Sequence, residues 1–302
     1  MSIEASANAT HAPSATHPRV AGLFVHPLKS AAAIEVAVLA LDDRGAVGDR
    51  RWLVVDPDGR QITARDTPQL CLVRPTMVEA AGEDAYINVD GPLTLRAPSM
   101  DALSLAIPES TATRDVSIWD DMVPSIDTGD AAAEWISAAL GTRARIVRLA
   151  DSARRPLRAK YSGSLPVENR RVAFSDGAPL LILGQSSVDA LNARLAARGE
   201  PSVSTARFRP NVLLSHTTAH EEDTWRDIHI GDMMVSLGEP CARCVVITID
   251  PLTARGGKEP TRTLATYRTH NGSVIFGMNA TNAAAGQIRR GDVVREIVRI
   301  AR

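Results

Sequence analysis

Short apolar runs separated by turn residues dominate the first half of the chain from Arg19 onward. Runs of this length that are rich in Val, Ile and Leu predict β-strands rather than helices. The predicted strands cover residues 20–25, 34–41, 52–55, 61–64, 70–73 and 93–96. Asp56-Pro57-Asp58-Gly59 predicts a tight turn, because Pro presets φ and Gly accepts a positive φ. The first half is therefore predicted to be mainly β, with a hairpin at this turn.

Two segments instead show helical features. Residues 130–140 are rich in Ala and end at Gly141, and residues 186–198 end at Gly199, a residue type that closes many helices. In the second segment Val188, Leu191 and Leu195 form one apolar stripe. Further strands are predicted at 212–214, 228–230, 233–237, 245–249 and 293–300. The whole pattern, which has no repeat of fixed period, predicts a β-rich α+β fold with a few helices.

Length and composition suggest how the chain is divided. Its 302 residues are about twice the usual domain length, which favours two modules over one large domain. We expect an N-terminal β module at 19–150 and a second domain at 151–302. Residues 1–18, rich in Ala, Ser, Thr, His and Pro, are expected to form a flexible leader, since they cannot bury enough apolar surface.

Charge and cysteine content exclude several partners and compartments. The formal net charge of -1 provides no global field that would attract nucleic acid or an anionic membrane. No run approaches the ~20 apolar residues of a membrane span, and the N-terminus lacks a signal-peptide pattern. Three cysteines, Cys71, Cys241 and Cys244, suit a reducing compartment better than a disulfide framework. These features predict a soluble, cytoplasmic protein.

A basic, loop-rich stretch lies between the two predicted helices. Its cationic residues are Arg154, Arg155, Arg158, Lys160, Arg170 and Arg171. Such a stretch is usually solvated surface. A docking face for an acidic partner is the alternative that stays open.

Cys241-Ala242-Arg243-Cys244 comes directly before the predicted strand 245–249. A zinc site needs four ligands, and no second Cys pair or suitably spaced His pair accompanies this one. A thioredoxin-like dithiol would precede a helix, whose positive end lowers a thiol pKa, whereas β-branched residues follow here. Taken alone, the pair is better interpreted as two buried cysteines that act as small apolar residues.

A series of motifs along the chain gives this pair a context. The first half contains Pro27-Leu28-Lys29-Ser30, Gly48-Asp49-Arg50-Arg51-Trp52 and Thr63-Ala64-Arg65. The second half contains, in order, Arg207-Phe208-Arg209-Pro210-Asn211, Trp225, Ile230-Gly231-Asp232, Cys241 to Asp250, Glu259-Pro260 and Leu264 to Arg268. From about Arg19 to the C-terminus the chain thus resembles the MOSC-domain proteins, which include the mitochondrial amidoxime-reducing component and bacterial N-hydroxylamine reductases. The resemblance implies a MOSC β-barrel domain packed on a smaller N-terminal module that is also barrel-like.

The resemblance also implies a molybdenum–molybdopterin cofactor and the residues that hold it. Cys244 is the implied metal ligand, with Cys241 in a supporting role, because a thiolate is a soft ligand that suits a metal bound by dithiolene sulfurs. The neighbouring Arg243 would favour the thiolate. The implied cofactor-binding residues are Lys29, Ser30, Arg50, Asp176, Gly177, Arg209, Asn211, Arg243 and Cys244, among which Arg and Lys offer charged donors to a phosphate.

The resemblance implies a catalytic role for one residue, and the chain departs from the family at two others. Asp176 is implied as a catalytic residue beside Cys244, as an acid–base or water-positioning group. The family has hydroxyl residues where this chain has Gly177 and Ala178. Backbone N–H groups are expected to donate there instead, since Gly permits close backbone approach to a ligand.

The implied activity is the reduction of N-hydroxylated compounds, such as amidoximes, hydroxylamines and N-hydroxylated bases, by oxygen-atom transfer. A cofactor carrier or storage protein without turnover, and a persulfide sulfur-transfer protein that uses Cys244, are the two alternatives. No cysteine cluster for an iron–sulfur centre follows the MOSC-like region. We therefore expect a separate electron-donor reductase or carrier, with the basic stretch as its candidate docking face.

Overall fold

A computed structural model describes residues 17–80, 82–110 and 112–300. Within them the chain is built mainly from strands, as predicted. The strands are β1 Arg19–Val25, β2 Ile34–Val36, β3 Val38–Asp42, β4 Gly45–Ala46, β5 Trp52–Val55, β6 Arg74–Thr76, β7 Val78–Glu79, β8 Tyr86–Ile87, β9 Leu93–Arg96, β10 Leu103–Leu105, β11 Arg114–Ile118, β12 Asp121–Asp127, β13 Arg145–Leu149, β14 Leu180–Gly184, β15 Val212–Ser215, β16 Trp225–Ile230, β17 Met233–Ala242, β18 Thr269–His270, β19 Ser273–Asn282, β20 Gly286–Arg289 and β21 Val294–Arg299. The α-helices are α1 Asp130–Leu140, α2 Gln185–Ala196 and α3 Thr261–Leu264.

The largest sheet joins strands from both ends of the chain. Its order is β2-β1-β15-β14-β19-β17-β16-β21, with β18 paired to β19. β14 and β15 run parallel, and α2 forms the crossover that a parallel pair requires. Because β1 and β2 belong to this sheet, strands from both sides of residue 150 share it. The division into modules at residue 150 stays a prediction.

Smaller sheets complete the β-rich fold. The strand orders are β11-β12-β13-β5, β10-β9-β6, β20-β3-β4 and β7-β8. In the first of these, Ile118 faces Asp121 across a two-residue hairpin loop, Trp119-Asp120. This loop projects one aromatic residue from the end of the β11–β12 hairpin.

Both longer helices form where the sequence predicts them. α1 ends at Gly141, which has φ of 68°, and it buries Ala132, Ile136 and Leu140. α2 buries the predicted stripe, Val188, Leu191 and Leu195. Burying one apolar face against the core stabilises a short helix more than its intrinsic propensity does.

The turn at Asp56 to Gly59 is confirmed, but the strand after it is shorter than predicted. Asp56 O accepts a hydrogen bond from Gly59 N at 3.0 Å, and Gly59 has φ of 83°. Of residues 61–64, Gln61 forms a single bridge to Val55. The hairpin at this turn is therefore brief.

Three other predicted strands differ from the structure. Residues 34–41 divide into β2 and β3 around Ala37, whose N–H donates to Ala85 O instead of to a strand partner. Pro68–Leu72 and Val245–Thr248 form 3₁₀ helices, so the predicted strands 70–73 and 245–249 are wrong. Thr248 Oγ1 donates to Val245 O at 2.8 Å, a local bond that stabilises the turn.

The ends of the chain add two observations. Most of the predicted flexible leader, residues 1–18, lies outside the described residues. Among the described residues, no helix is both long and apolar enough to cross a membrane.

Candidate functional site

The nine residues implied to hold a cofactor all line one cavity, called the cleft below. Its volume is about 410 Å³. The segment after β1 provides Lys29 and Ser30, and the segment before β5 provides Arg50. The remaining six lie before β14, before β15 and at the end of β17: Asp176, Gly177, Arg209, Asn211, Arg243 and Cys244. Five segments that are distant in sequence thus meet at one site.

A pair of arginines forms the positively charged floor of the cleft. Arg209 Nη1 donates to Ala31 O at 2.7 Å, while its buried Nη2 has no hydrogen-bond partner among the described residues. Burial and the nearby Arg50 lower the pKa of Arg209 to about 10. Arg50 is paired with the carboxylate of Asp49. Two adjacent guanidiniums with one carboxylate and a free buried donor are suited to binding an anion.

The buried Lys29 and the half-exposed Asp176 form an ion pair beside this floor. Lys29 Nζ lies 2.7 Å from Asp176 Oδ1 and donates to Gln61 Oε1 at 2.8 Å. Burial lowers the pKa of Lys29 to about 8, although the charge of Asp176 raises it. Burial also raises the pKa of Asp176, but Lys29 and Arg65 outweigh that effect and hold this pKa well below its ordinary value. Asp176 is therefore ionised at neutral pH.

The Asp176 carboxylate is also the centre of a wider hydrogen-bond network. Its Oδ2 lies 3.0 Å from Arg65 Nη2, and its Oδ1 accepts a hydrogen bond from Trp119 Nε1 at 3.2 Å. A carboxylate with three charged or polar donors is already ionised near pH 7 and has no proton to donate. The geometry favours a water-positioning or charge-balancing role for Asp176 over that of a general acid.

Cys244 lies at the exposed side of the cleft, directly before the 3₁₀ helix Val245–Thr248. Burial lowers the pKa of Arg65, but Asp176 and the neighbouring Cys244 sulfur outweigh that effect and raise this pKa above its ordinary value. Arg243, predicted to favour the Cys244 thiolate, instead donates from Nη1 to Cys241 Sγ at 3.0 Å and from Nη2 to Phe208 O at 2.7 Å. The cation beside Cys244 is thus Arg65, which comes from a loop about 180 residues earlier.

Two of the implied residues use their side chains to hold the backbone. Asn211 is fully buried; its Nδ2 donates to Phe24 O at 3.1 Å and its Oδ1 accepts from Leu181 N at 3.1 Å. Ser30 Oγ accepts from Ala64 N at 3.1 Å. Asn211 therefore joins β1 and β14 at the floor of the cleft, and Ser30 fixes the loop that carries Arg65.

The loop before β14 brings a glycine against an aromatic ring. A Cβ at Gly177 would lie 2.5 Å from Tyr161 Cε2 and 2.9 Å from the Tyr161 hydroxyl. The ring of Tyr161 therefore occupies the space that a side chain at residue 177 would need. On the same loop, the buried hydroxyl of Ser175 has no hydrogen-bond partner among the described residues, which makes it a further candidate donor to a ligand.

The basic stretch is only partly a solvated surface. Arg155 is buried; its Nε lies 2.7 Å from Asp121 Oδ2, and its Nη1 donates to Ala173 O at 3.0 Å. Arg170 donates to Asn282 O at 2.7 Å. These two arginines support the fold and are wrong candidates for a docking face, whereas Arg154 and Arg158 are exposed.

Sequence reasoning assigned no role to three residues of this site: Arg65, Trp119 and Ser175. Arg65 belongs to the Thr63-Ala64-Arg65 motif, so the motif was a signal for its position. Ser175 precedes Asp176, and sequence adjacency could have indicated it. Trp119 follows a strand in a turn position, and no pattern in the sequence relates it to residues more than 50 positions away.

Comparison with family models gives two matches along the chain. Residues 17–143 match the MOSC N-terminal beta barrel domain. Residues 169–295 match the MOSC domain. The cleft is lined by residues from both matched segments.

Curated relatives match over most of their length. The mitochondrial amidoxime reducing component 2 of Rattus norvegicus is 33% identical over 296 residues, which cover 92% of this chain and 83% of that protein. The mitochondrial amidoxime-reducing component 1 of Homo sapiens is 32% identical over 292 residues, covering 91% and 82%. Among solved structures, the YuaD protein from Bacillus subtilis is 12% identical with a TM-score of 0.40, over 92% of this chain and 94% of that one. That structural similarity is too low to support a conclusion.

Proposed function

Because this chain belongs to the MOSC-domain family that includes the mitochondrial amidoxime-reducing components, we propose that it is a molybdenum-cofactor oxidoreductase. Its proposed reaction is the reduction of N-hydroxylated compounds, such as amidoximes, hydroxylamines and N-hydroxylated bases. When bound, the molybdenum centre supplies the two-electron chemistry that removes the oxygen atom from the N–O group. The protein's own residues bind the cofactor, orient the substrate and manage charge.

The observation that carries this proposal is the position of an exposed thiol beside a buried cationic floor. Cys244 is exposed, and Arg50 and Arg209 lie in the same cleft. The free Nη2 of Arg209 and the free hydroxyl of Ser175 are buried donors without an acceptor among the described residues. Buried donors normally have partners, so these two indicate a ligand with acceptor atoms. The residues present therefore fit an anionic pterin that carries a metal.

Each residue then has a role that its contacts support. Arg209, Arg50 and Lys29 would bind the phosphate of the pterin through charged hydrogen bonds, and Cys244 would be the metal ligand. Arg65 places a positive charge beside the Cys244 sulfur. Asp176 holds Lys29 and Arg65 in place and, being ionised, can accept a hydrogen bond from a water molecule near the N–O group.

The exposure of Cys244 supports an enzyme over a cofactor carrier without turnover. A carrier without turnover would be expected to enclose the metal, whereas this thiol faces an open cleft of about 410 Å³. Sulfur transfer is the second candidate, because an exposed thiol that contacts Arg65 could also hold a persulfide. Cofactor analysis distinguishes these possibilities.

Electron supply and location complete the proposal. We propose a separate reductase or electron carrier as the donor, docked near the exposed Arg154 and Arg158. The cytoplasmic location stays a prediction.

The decisive experiment is metal and pterin analysis of protein made in a host that synthesises the cofactor. It is followed by benzamidoxime reduction with reduced viologen as the electron source. Cys244→Ser should abolish the molybdenum-dependent activity, whereas Cys241→Ser, the matched control, should retain a substantial part because one thiolate completes the metal's sulfur set. Equal loss in both variants would contradict the single-ligand assignment. A cofactor-free protein with persulfide sulfur on Cys244 would support sulfur transfer instead.

A further inference from the structure

Trp119 occupies an unusual position for its residue type. It is the first residue of the two-residue loop between β11 and β12, and its φ is 55°. Bulky residues seldom adopt positive φ, and glycine is the usual choice at this place in a hairpin. A tryptophan here carries a conformational cost that glycine would avoid. Residues in such strained conformations cluster at functional sites.

Two contacts fix the indole ring at the mouth of the cleft. The Arg65 guanidinium lies over the ring, 4.7 Å from its centroid, and Nε1 donates to Asp176 Oδ1 at 3.2 Å. Despite these contacts the residue remains 50% exposed. A ring that is already held in one orientation loses little entropy when a ligand stacks on its free surface.

The ring is also close to the thiol that would ligate the metal. Arg65, which stacks on Trp119, is the cation beside Cys244. One guanidinium therefore separates the aromatic ring from the Cys244 sulfur. Trp119 and Cys244 line the same cleft, so a planar molecule that packs against the exposed part of the indole would lie in the cleft that contains this sulfur.

We infer that Trp119 is a specificity-determining residue that stacks on planar aromatic N-hydroxylated substrates, such as aryl amidoximes and N-hydroxylated heterocyclic bases. The inference rests on the proposed function. Aliphatic N-hydroxylated compounds have no π face and gain nothing from this ring. The structure thus predicts a preference between two substrates that carry the same reacting group.

Benzamidoxime and acetamidoxime are such a pair, because they differ only in a phenyl or a methyl substituent. Trp119→Gly removes the ring and suits the positive φ, so the hairpin is kept. Trp119→Phe keeps an aromatic ring but loses the hydrogen bond to Asp176. Met122→Ala is the matched control, since Met122 is 63% exposed on the adjacent strand β12 and lies outside the cleft lining.

The measured quantity is the preference for benzamidoxime, as the ratio of its kcat/KM to that of acetamidoxime with reduced viologen. Stacking on an aromatic side chain contributes about ten- to a hundredfold in affinity. We expect Trp119→Gly to lower the ratio by about tenfold or more, mainly through the KM for benzamidoxime, and Trp119→Phe to lower it by about threefold at most. Both variants lose the Asp176 hydrogen bond, so that loss cannot explain a difference between them.

A binding measurement without turnover gives a second readout. In the unreduced protein, benzamidoxime should quench indole fluorescence in the wild type and in Met122→Ala, and this quenching should disappear in Trp119→Phe. Equal ratios in wild type and Trp119→Gly, or unchanged quenching in Trp119→Phe, would overturn the inference. Failure of the wild-type, cofactor-loaded protein to reduce either amidoxime would instead contradict the proposed function.

Discussion

Replacing Lys29 tests whether the buried positive charge in the cleft lowers the free energy of unfolding of the protein. Lys29 is buried, and its ammonium contacts Asp176 and Gln61. Methionine keeps the apolar stem and removes the charge. After Lys29→Met, Asp176 still has Arg65 and Trp119 as partners, so the substitution isolates the buried ammonium.

The magnitude follows from the pKa of Lys29. Burial lowers this pKa from 10.5 to about 8. Because one pKa unit corresponds to about 1.4 kcal/mol, keeping Lys29 charged costs the folded state about 3 kcal/mol. We therefore expect Lys29→Met to raise the free energy of unfolding of the cofactor-free protein at pH 7 by up to about that amount. A bound anionic group would offset the same cost in the loaded protein.

The pH dependence has a definite sign. Between pH 8 and 10.5 the unfolded chain keeps the Lys29 proton while the folded chain has lost it. Wild-type stability should therefore rise relative to Lys29→Met across this window, and the difference should close above it. Urea unfolding of both proteins from pH 7 to 10.5 measures the difference, with the exposed Lys258→Met as a control. A difference that does not change with pH, or a variant less stable throughout, would refute the reasoning.

Three further predictions concern the other groups of the site. Arg209→Ala should weaken cofactor binding by about ten- to a hundredfold, since a charged hydrogen bond to a buried anion contributes about 1.5–3 kcal/mol; molybdenum content per protein measures this. Gly177→Ala should destabilise the fold by about 1–3 kcal/mol through its clash with Tyr161, and adding Tyr161→Ala should recover part of the loss in thermal unfolding. If an acidic carrier docks at Arg154 and Arg158, changing both to Glu should slow carrier-driven turnover, and rising salt should slow it in the wild type.

Each of these predictions has a result that would contradict it. Unchanged molybdenum content with a lowered thermal midpoint would make Arg209 a structural residue. Additive losses in the Gly177 and Tyr161 double variant would mean that the two residues do not compete for space. Arg158 also lines the cleft, so equal losses with the carrier and with reduced viologen would indicate an effect on the site and not on docking. Turnover insensitive to salt would exclude electrostatic docking.

The sequence by itself determined the local features of this protein. α1 ends at Gly141 with positive φ, and α2 buries the stripe formed by Val188, Leu191 and Leu195. The Asp56 to Gly59 turn also forms as predicted. Helix ends and turns depend on the φ that a few adjacent residues can adopt, and helix faces depend on apolar spacing, so each is readable from a short segment.

The order of motifs also determined which residues gather at the cleft, though not how they are paired. The resemblance implied the nine residues that line it. It assigned Arg243 to the Cys244 thiolate, whereas the structure pairs Arg243 with Cys241 and Arg65 with Cys244. Residues adjacent in sequence need not interact, and the Arg243 guanidinium donates to Cys241 Sγ and Phe208 O.

Only the tertiary structure decided the long-range contacts and the secondary structure of the short apolar runs. Val245–Thr248 has strand-forming residues but pairs with no strand of the part of the chain that the structure describes, and Val245 O instead accepts a local bond within a 3₁₀ helix. Arginine is usually a surface residue, yet Arg155 is buried, and the β11–β12 hairpin brings Asp121 to it as an ion-pair partner. The same hairpin brings Trp119 to Asp176. These contacts join residues tens of positions apart, and they exist only because the sheets fix where each loop lies.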